Sequence, residues 1–178
     1  MILSDSAILQ AIEDNSIGIE PFDIKCLGSN SYDLHLSKHI AWYDDHVLDA
    51  KKDNPITHMV MDEEGQTLYP NQLYLASTVE STYAKDTVPM IEGKSSIARL
   101  GIQIHLTAGF GDVGFLGHWT LEISVIEEVI VYPNMPIAQI YFQGVKGIVN
   151  KPYHKKKDAK YSEQGALPVG SKMYKNFQ

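Results

Sequence analysis

The sequence predicts a mainly β protein, a sandwich or barrel with one short helix near its N-terminus. Three observations carry this expectation. Short β-prone runs recur between turn residues, helical periodicity is confined to the N-terminus, and Thr120-Leu121-Glu122-Ile123-Ser124-Val125 alternates polar with apolar side chains. That alternation is the period of a half-buried strand.

Taken in order, Ser4 or Asp5 is placed to cap a helix in which Ile8, Leu9 and Ile12 share one face, because a side-chain oxygen there accepts from an orphan backbone N–H. Asp14-Asn15-Ser16 and Gly18 end it. Strands are then expected over Tyr32 to Leu36, Ile40 to Tyr43, Leu73 to Thr78, Ile102 to Leu106, Trp119 to Val125 and Ile137 to Phe142. The stretch from Asp44 to Gln66, rich in Asp, Lys and Glu, reads as hairpin edges or a mobile surface loop. Strand character fades from Tyr153 onward, where the chain becomes basic, polar and glycine-containing.

A chain of 178 residues is expected to form one domain with a real core, residues 153–178 being its tail. No apolar run approaches the ~18 residues that span a membrane. Met1-Ile2-Leu3-Ser4-Asp5 lacks a basic segment leading into an apolar one, so no signal peptide is expected and the protein reads as cytoplasmic. Cys26, the one cysteine, excludes an intrachain disulfide and any multi-cysteine zinc site. The net charge of -7 argues against a general nucleic-acid binder, whose surface is usually basic. Positive charge is instead local, at Lys94 and Arg99 and from Lys151 to Lys160. Local cations on an acidic protein suit a small polyanion.

Glu92-Gly93-Lys94-Ser95-Ser96-Ile97-Ala98-Arg99 gathers the donors such a ligand needs. Gly93 allows close backbone approach, Lys94 and Arg99 supply cationic donors, and arginine grips phosphate oxygens with two parallel bonds. Ser95 and Ser96 add hydroxyls. A Walker loop is excluded, since Val88 stands where its first glycine belongs. Alone, the segment also reads as a surface turn with a basic rim. Downstream, Glu122 sits among apolar neighbours, where desolvation disfavours its charge and a nearby arginine favours it. A carboxyl so held can exchange protons with a substrate, although an exposed glutamate on an alternating strand is the commoner case. His35 and His39 are four apart without a partner glutamate motif, and neither a His-x-Glu nor a Cys-x-x-Cys occurs. They read as structural or solvent-facing, and the ligand pattern of a zinc-activated water is missing.

The glycine-lysine-serine segment, His105-Leu106-Thr107-Ala108-Gly109-Phe110-Gly111-Asp112-Val113-Gly114-Phe115-Leu116-Gly117 and Trp119-Thr120-Leu121-Glu122 together resemble the phosphate loop, deoxyribose turn and catalytic strand of the dCTP deaminase branch of the dUTPase superfamily. The resemblance runs from Met1-Ile2-Leu3-Ser4 through Ser31-Tyr32-Asp33-Leu34 to Asp158-Ala159-Lys160-Tyr161, Gln164-Gly165-Ala166 and Tyr174-Lys175-Asn176-Phe177. It implies a distorted double jelly-roll or β-barrel of the dUTPase-like type, assembled as a homotrimer with sites between subunits. It implies zinc-independent deamination of dCTP to dUTP and ammonia, with dTTP as a feedback inhibitor.

In that likeness Glu122 takes a proton from the water that attacks C4 of cytosine, and Ser95 and the Ala108 carbonyl hold that water. Arg99 orients the site and offsets triphosphate charge. Asp112 bonds the sugar 3′-hydroxyl, and the Thr120, Leu121 and Glu122 backbone reads the base edge. Lys94, Ser96, Tyr153, Lys160 and Gln164 hold the phosphates or close over them, with Ile97 and Ala98 in the same loop. Residues 153–178 then act as a lid. No residue is assigned to a metal, and Mg²⁺ arrives with the triphosphate.

Two departures bear on selectivity: Gly111 stands where the family usually has a branched apolar residue and Val113 where it often has proline, which implies a looser sugar turn. Gly109-Phe110 resembles members that also cleave the triphosphate to give dUMP, and Gly109 is expected to leave room for a second water. A plain dUTPase and a non-catalytic nucleotide-binding regulator are the remaining readings. Thr120-Leu121-Glu122 and the Asp158 to Tyr161 segment favour the deaminase over the first, and intact Ser95, Arg99 and Glu122 over the second.

Overall fold

The computed structural model describes residues 1–105 and 107–178. Its first element, α1 (Asp5–Glu13), is capped by Ser4, whose side chain accepts from the Ala7 N–H. Ile8 on its inner face is fully buried. The strands follow as β1 (Ile17–Glu20), β2 (Tyr32–Tyr43), β3 (Ile56–Val60), β4 (Gln66–Leu68), β5 (Tyr74–Ala84), β6 (Thr87–Gly93), β7 (Ile102–Gln103), β8 (Leu116–Val125), β9 (Val129–Val131) and β10 (Pro136–Gly144). A single helical turn, α2 (Ser95–Ala98), separates β6 from β7.

One sheet runs β6-β10-β2-β5-β8-β7, with β1 added to β5 and β3 to β2, and every pairing is antiparallel. The chain leaving β7 then closes it. Gly109 O accepts from Ile91 N and Gly111 N donates to Pro89 O, so residues 109–111 lie along the outer edge of β6. Because Ile102–Gln103 pairs with β8 and residues 109–111 with β6, one stretch of chain joins both ends of the sheet into a nearly closed barrel. Side chains of period two fill it: Leu34, Leu36, Ile40, Leu121, Ile123, Ile137, Ile140 and Phe142 are all fully buried.

The mainly β class and the N-terminal helix match expectation, and several boundaries do not. The two strands expected over Tyr32 to Leu36 and Ile40 to Tyr43 are one strand of 12 residues. Its register against β5 slips between Leu36 and Ile40, a bulge that absorbs the apparent turn. Ser37 Oγ there bonds Ser77 Oγ (2.7 Å) and accepts from His39 N–H, so His39 lies within the strand rather than in a turn after it. His35 is structural: its N–H and Nδ1 both donate to Glu80, which is 2% exposed.

The strand expected from Leu73 continues to Ala84 through a second slip between Ser77 and Ser81. Of the strand expected over 102–106, Ile102 and Gln103 form β7, and Leu106 lies outside the described residues. The stretch from Asp44 to Gln66 contains β3 as a hairpin partner of β2. β6 escaped the sequence because Pro89 argues against a strand interior; it is tolerated here on a sheet edge.

Barrel closure explains Gly109. A Cβ at that position would lie 2.3 Å from the Ile91 carbonyl oxygen, so the space a side chain would fill belongs to β6 rather than to a second water. The prediction is that Gly109→Ala destabilises the fold by about 1–3 kcal/mol, as overpacking does, while Gly165→Ala, with nothing within 4 Å of its Cβ position, is neutral. Thermal unfolding of the two variants beside the parent checks it.

Candidate active site

Alternation along β8 sends Trp119, Leu121, Ile123 and Val125 into the core and turns Thr120, Glu122 and Ser124 toward a cavity of about 930 Å³. Leu73 and Leu75 continue the floor beside β8, Ala108 to Asp112 form one wall, and Tyr153, Tyr161, Gln164 and Val169 from the tail form another. On one edge the β8 backbone over Thr120 to Glu122 pairs with β5. Its other edge meets β7 only at Ser124 and Val125 and the tail only at Gly117 and His118. Among the described residues, no strand pairs with that edge at Thr120 to Glu122. Backbone donors and acceptors are therefore left for a ligand.

Asp112 and Glu122 are the charged residues lining this cavity, and each is matched by a cationic or ring N–H donor. His105 Nδ1 donates to Glu122 Oε2 at 2.7 Å, its side chain 7% exposed. The other ring nitrogen, Nε2, is buried with no partner among the described residues. Lys156 Nζ donates to Asp112 Oδ2 at 2.7 Å. Glu122 itself is 39% exposed, which corrects the expectation of a carboxylate wrapped in apolar neighbours: Leu121 and Ile123 point to the opposite face of the strand.

The tail is tied to the wall it covers. Tyr153 N donates to Val113 O (2.7 Å), and the Tyr153 hydroxyl accepts from Tyr161 N (2.8 Å). Burial pushes the Tyr153 phenol pKa up, so it stays protonated across neutral pH. Gln164 Nε2 and Val169 N both donate to Thr120 Oγ1, leaving the threonine O–H free to donate.

Of the residues singled out in the sequence, the cavity brings together Ala108, Asp112, Thr120, Glu122, Tyr153 and Gln164. Leu121 contributes backbone only, its side chain being fully buried. Lys160 does not line the cavity; its carbonyl accepts from Lys172 Nζ. The whole phosphate loop lies elsewhere. Ser95, Ser96 and Ala98 are exposed on α2 and Arg99 at its C-terminal end, Ile97 packs into the core, and Lys94 Nζ donates to Asp33. The sequence singles out neither His105 nor, within the basic tail, Lys156. A histidine between two apolar residues and the middle of three consecutive lysines carry no distinguishing signal.

The turn around Gly111, expected to be loose, is tightly packed. A Cβ there would lie 2.6 Å from Trp119 Cη2 and 2.7 Å from Pro89 O, so the tryptophan ring fills the place of a branched side chain. Trp119 Nε1 is fixed in turn by Thr82 Oγ1 at 2.8 Å.

Comparison with known proteins converges on one family. A family model described as dCTP deaminase-like matches residues 2–145. Among curated proteins, the chain is 43% identical to a dCTP deaminase, dUMP-forming, of Hathewaya histolytica, over the full length of both. It is 45% identical to the protein of that name from Leptospira biflexa, covering 100% of this chain and 99% of the relative. For the one from Clostridium acetobutylicum the identity is 46%, covering 99% of each. Among solved structures, the 2′-deoxycytidine 5′-triphosphate deaminase of Agrobacterium tumefaciens superposes with a TM-score of 0.64 at 20% identity, covering 84% of this chain and 50% of that one. This last likeness speaks to the fold alone.

The expected outcome for the Gly111–Trp119 contact is a coupled one. Gly111→Ile alone should destabilise by about 1–3 kcal/mol, and combining it with Trp119→Ile should recover part of that loss. A double-mutant cycle from chemical denaturation measures the coupling.

Proposed function

This chain belongs to the dCTP deaminase-like family of enzymes, and from that premise we propose that it converts dCTP and two waters into ammonia, pyrophosphate and dUMP in the cytoplasm. The observation that carries the reading is Glu122, facing the cavity beside the open backbone edge of β8 with one oxygen held by His105. The dUTP end point expected from the sequence gives way to dUMP because the curated relatives bear the name dUMP-forming.

Cytosine enters against the β8 edge, where backbone groups pair with its amidine edge and the Thr120 hydroxyl donates. Glu122 Oε2 is occupied by His105, so Oε1 takes the proton of a water held by the Ala108 carbonyl. That water attacks C4 and a C–O bond forms; Glu122 carries one water proton to N3 and the second to the amino group, the C4–N bond breaks as the C4 carbonyl forms, and ammonia leaves. General acid–base catalysis of this kind is typically worth ~10²–10⁴-fold. A second water then displaces pyrophosphate at the α-phosphorus. Mg²⁺ enters as part of the substrate complex. Both carboxylates in the cavity are already engaged, and no group of three potential metal-ligating side chains occurs among the described residues.

The remaining charge comes from a neighbour. A triphosphate needs cations, yet among the described residues no lysine or arginine lines the cavity, while Ser95 and Ser96 stand exposed on α2 and Arg99 at its C-terminal end. We assign α2 of an adjacent copy to the phosphates in a closed homotrimer, with residues 153–178 as the lid. dTTP, sharing the sugar and triphosphate, would compete there.

Four outcomes test this reading. Purified protein given dCTP and Mg²⁺ should release pyrophosphate and dUMP without accumulating dUTP, as followed by anion-exchange chromatography. Accumulated dUTP would reduce the activity to deamination. Glu122→Gln should lower kcat by roughly 10²–10⁴-fold, and His105→Ala by roughly 10²-fold through misplacement of the base. Mixing and refolding inactive Ser95→Ala and Glu122→Gln chains should restore part of the turnover, because some sites then combine an intact α2 with an intact β8. Absence of any recovery would mean that each chain builds its own site.

A further inference from the structure

Lys155, Lys156 and Lys157 look equivalent in the sequence and differ in the fold. Lys155 and Lys157 are exposed and form no ion pair among the described residues. Lys156 is turned inward: its Nζ lies 2.7 Å from Asp112 Oδ2 and 5.5 Å from the centre of the Tyr153 ring. Its backbone is fixed as well, since Lys156 N donates to Tyr153 O (3.0 Å) while Tyr153 N donates to Val113 O (2.7 Å). The residue on either side of the ion pair is thus anchored to the same turn. Asp112 Oδ1 accepts no hydrogen bond among the described residues, and Asp112 lines the cavity.

We propose that Lys156 is the positioning residue for sugar recognition, holding Asp112 so that its second oxygen meets the 3′-hydroxyl of the deoxyribose. This rests on the assignment of Asp112 to the sugar in the reaction above. A free aspartate samples several rotamers and, next to a triphosphate, adds repulsion. With Oδ2 pinned by an ammonium, Oδ1 points in one direction and the local charge is cancelled. Pre-organisation of this kind spares the ligand the entropy of ordering its own acceptor. Lys156 also links the lid to selectivity, because the ammonium that sets the carboxylate comes from the tail. The sugar acceptor is complete only when residues 153–156 are docked.

A lysine in this position has an obvious competing role, direct contact with phosphate, and the two roles separate on a substrate lacking the 3′-hydroxyl. Ammonia release is measured from dCTP and from 2′,3′-dideoxy-CTP with the parent enzyme, Lys156→Met, Lys156→Arg and Asp112→Ala. The parent should prefer dCTP by about tenfold or more in kcat/KM, the worth of a hydrogen bond to a charged acceptor. Lys156→Met should lose most of that preference through KM for dCTP, leave dideoxy-CTP within about twofold, and keep the parent's melting temperature. Lys156→Arg should recover much of the preference, and adding Lys156→Met to Asp112→Ala should cost nothing more. Equal losses on both substrates would make Lys156 a phosphate ligand or a purely structural residue and overturn the proposal, as would an unaltered Lys156→Met enzyme. A parent enzyme with no preference for dCTP would instead remove the assignment of Asp112 to the sugar, and the proposal with it.

Discussion

Closure of the barrel by the chain between β7 and β8 is the constraint on which the rest of the site depends. Two backbone hydrogen bonds hold residues 109–111 against β6, through Ile91 N to Gly109 O and Gly111 N to Pro89 O. Such bonds require the two backbones to approach without side chains between them, which is why glycine stands at both positions. The same stretch carries His105 to Glu122 on one side and delivers Asp112 to the cavity wall on the other. Displacing it would move Glu122 and Asp112, the proposed acid–base group and sugar acceptor, together.

The cavity so formed is electrostatically selective in an indirect way. Among the described residues its lining offers two carboxylates and no lysine or arginine, a poor environment for a polyanion taken by itself. Each carboxylate is matched at 2.7 Å by a donor reaching it from outside the lining. Because an unpaired charge is expensive to shield from water, pairing lets these groups remain oriented without repelling the substrate outright. The proposed neighbouring α2 would supply the rest of the positive charge, so that a phosphate-bearing ligand is fully balanced only in the assembled enzyme.

The tail contributes polar tethers far more than buried apolar surface. Pro152 and Pro168 are its buried residues. Besides the Tyr153–Val113 and His118–Gln164 backbone bonds and the Lys156–Asp112 pair, its attachments run through hydroxyls: Ser77 Oγ to Ala166 O, Gln164 and Val169 to Thr120 Oγ1, Ser171 N to Tyr43 OH. Segments held by hydrogen bonds with little hydrophobic burial open at lower free energy than a core strand. That balance suits a lid, which must release product as readily as it encloses substrate.

Local physics was legible in the sequence. The Ser4 cap, the alternation of Thr120 to Val125, the centres of the longer strands and the grouping of phosphate-seeking side chains each depend on residues a few positions apart, and each was read from them. The family resemblance added the expected roles of Glu122 and Asp112, two residues that the cavity brings together. What only the tertiary structure decided were pairings across the chain. Lys156 was chosen over Lys155 and Lys157 by Asp112, 44 residues away; His105 was set against Glu122, 17 residues on; and Gly111 was explained by the Trp119 ring. The continuity of β2 through its bulge and the strand nature of β6 depended on partners in β5 and β10. A side chain's propensity is a property of its own backbone, whereas the partner of a charge or the neighbour of a missing Cβ is set by barrel closure, which no local window contains.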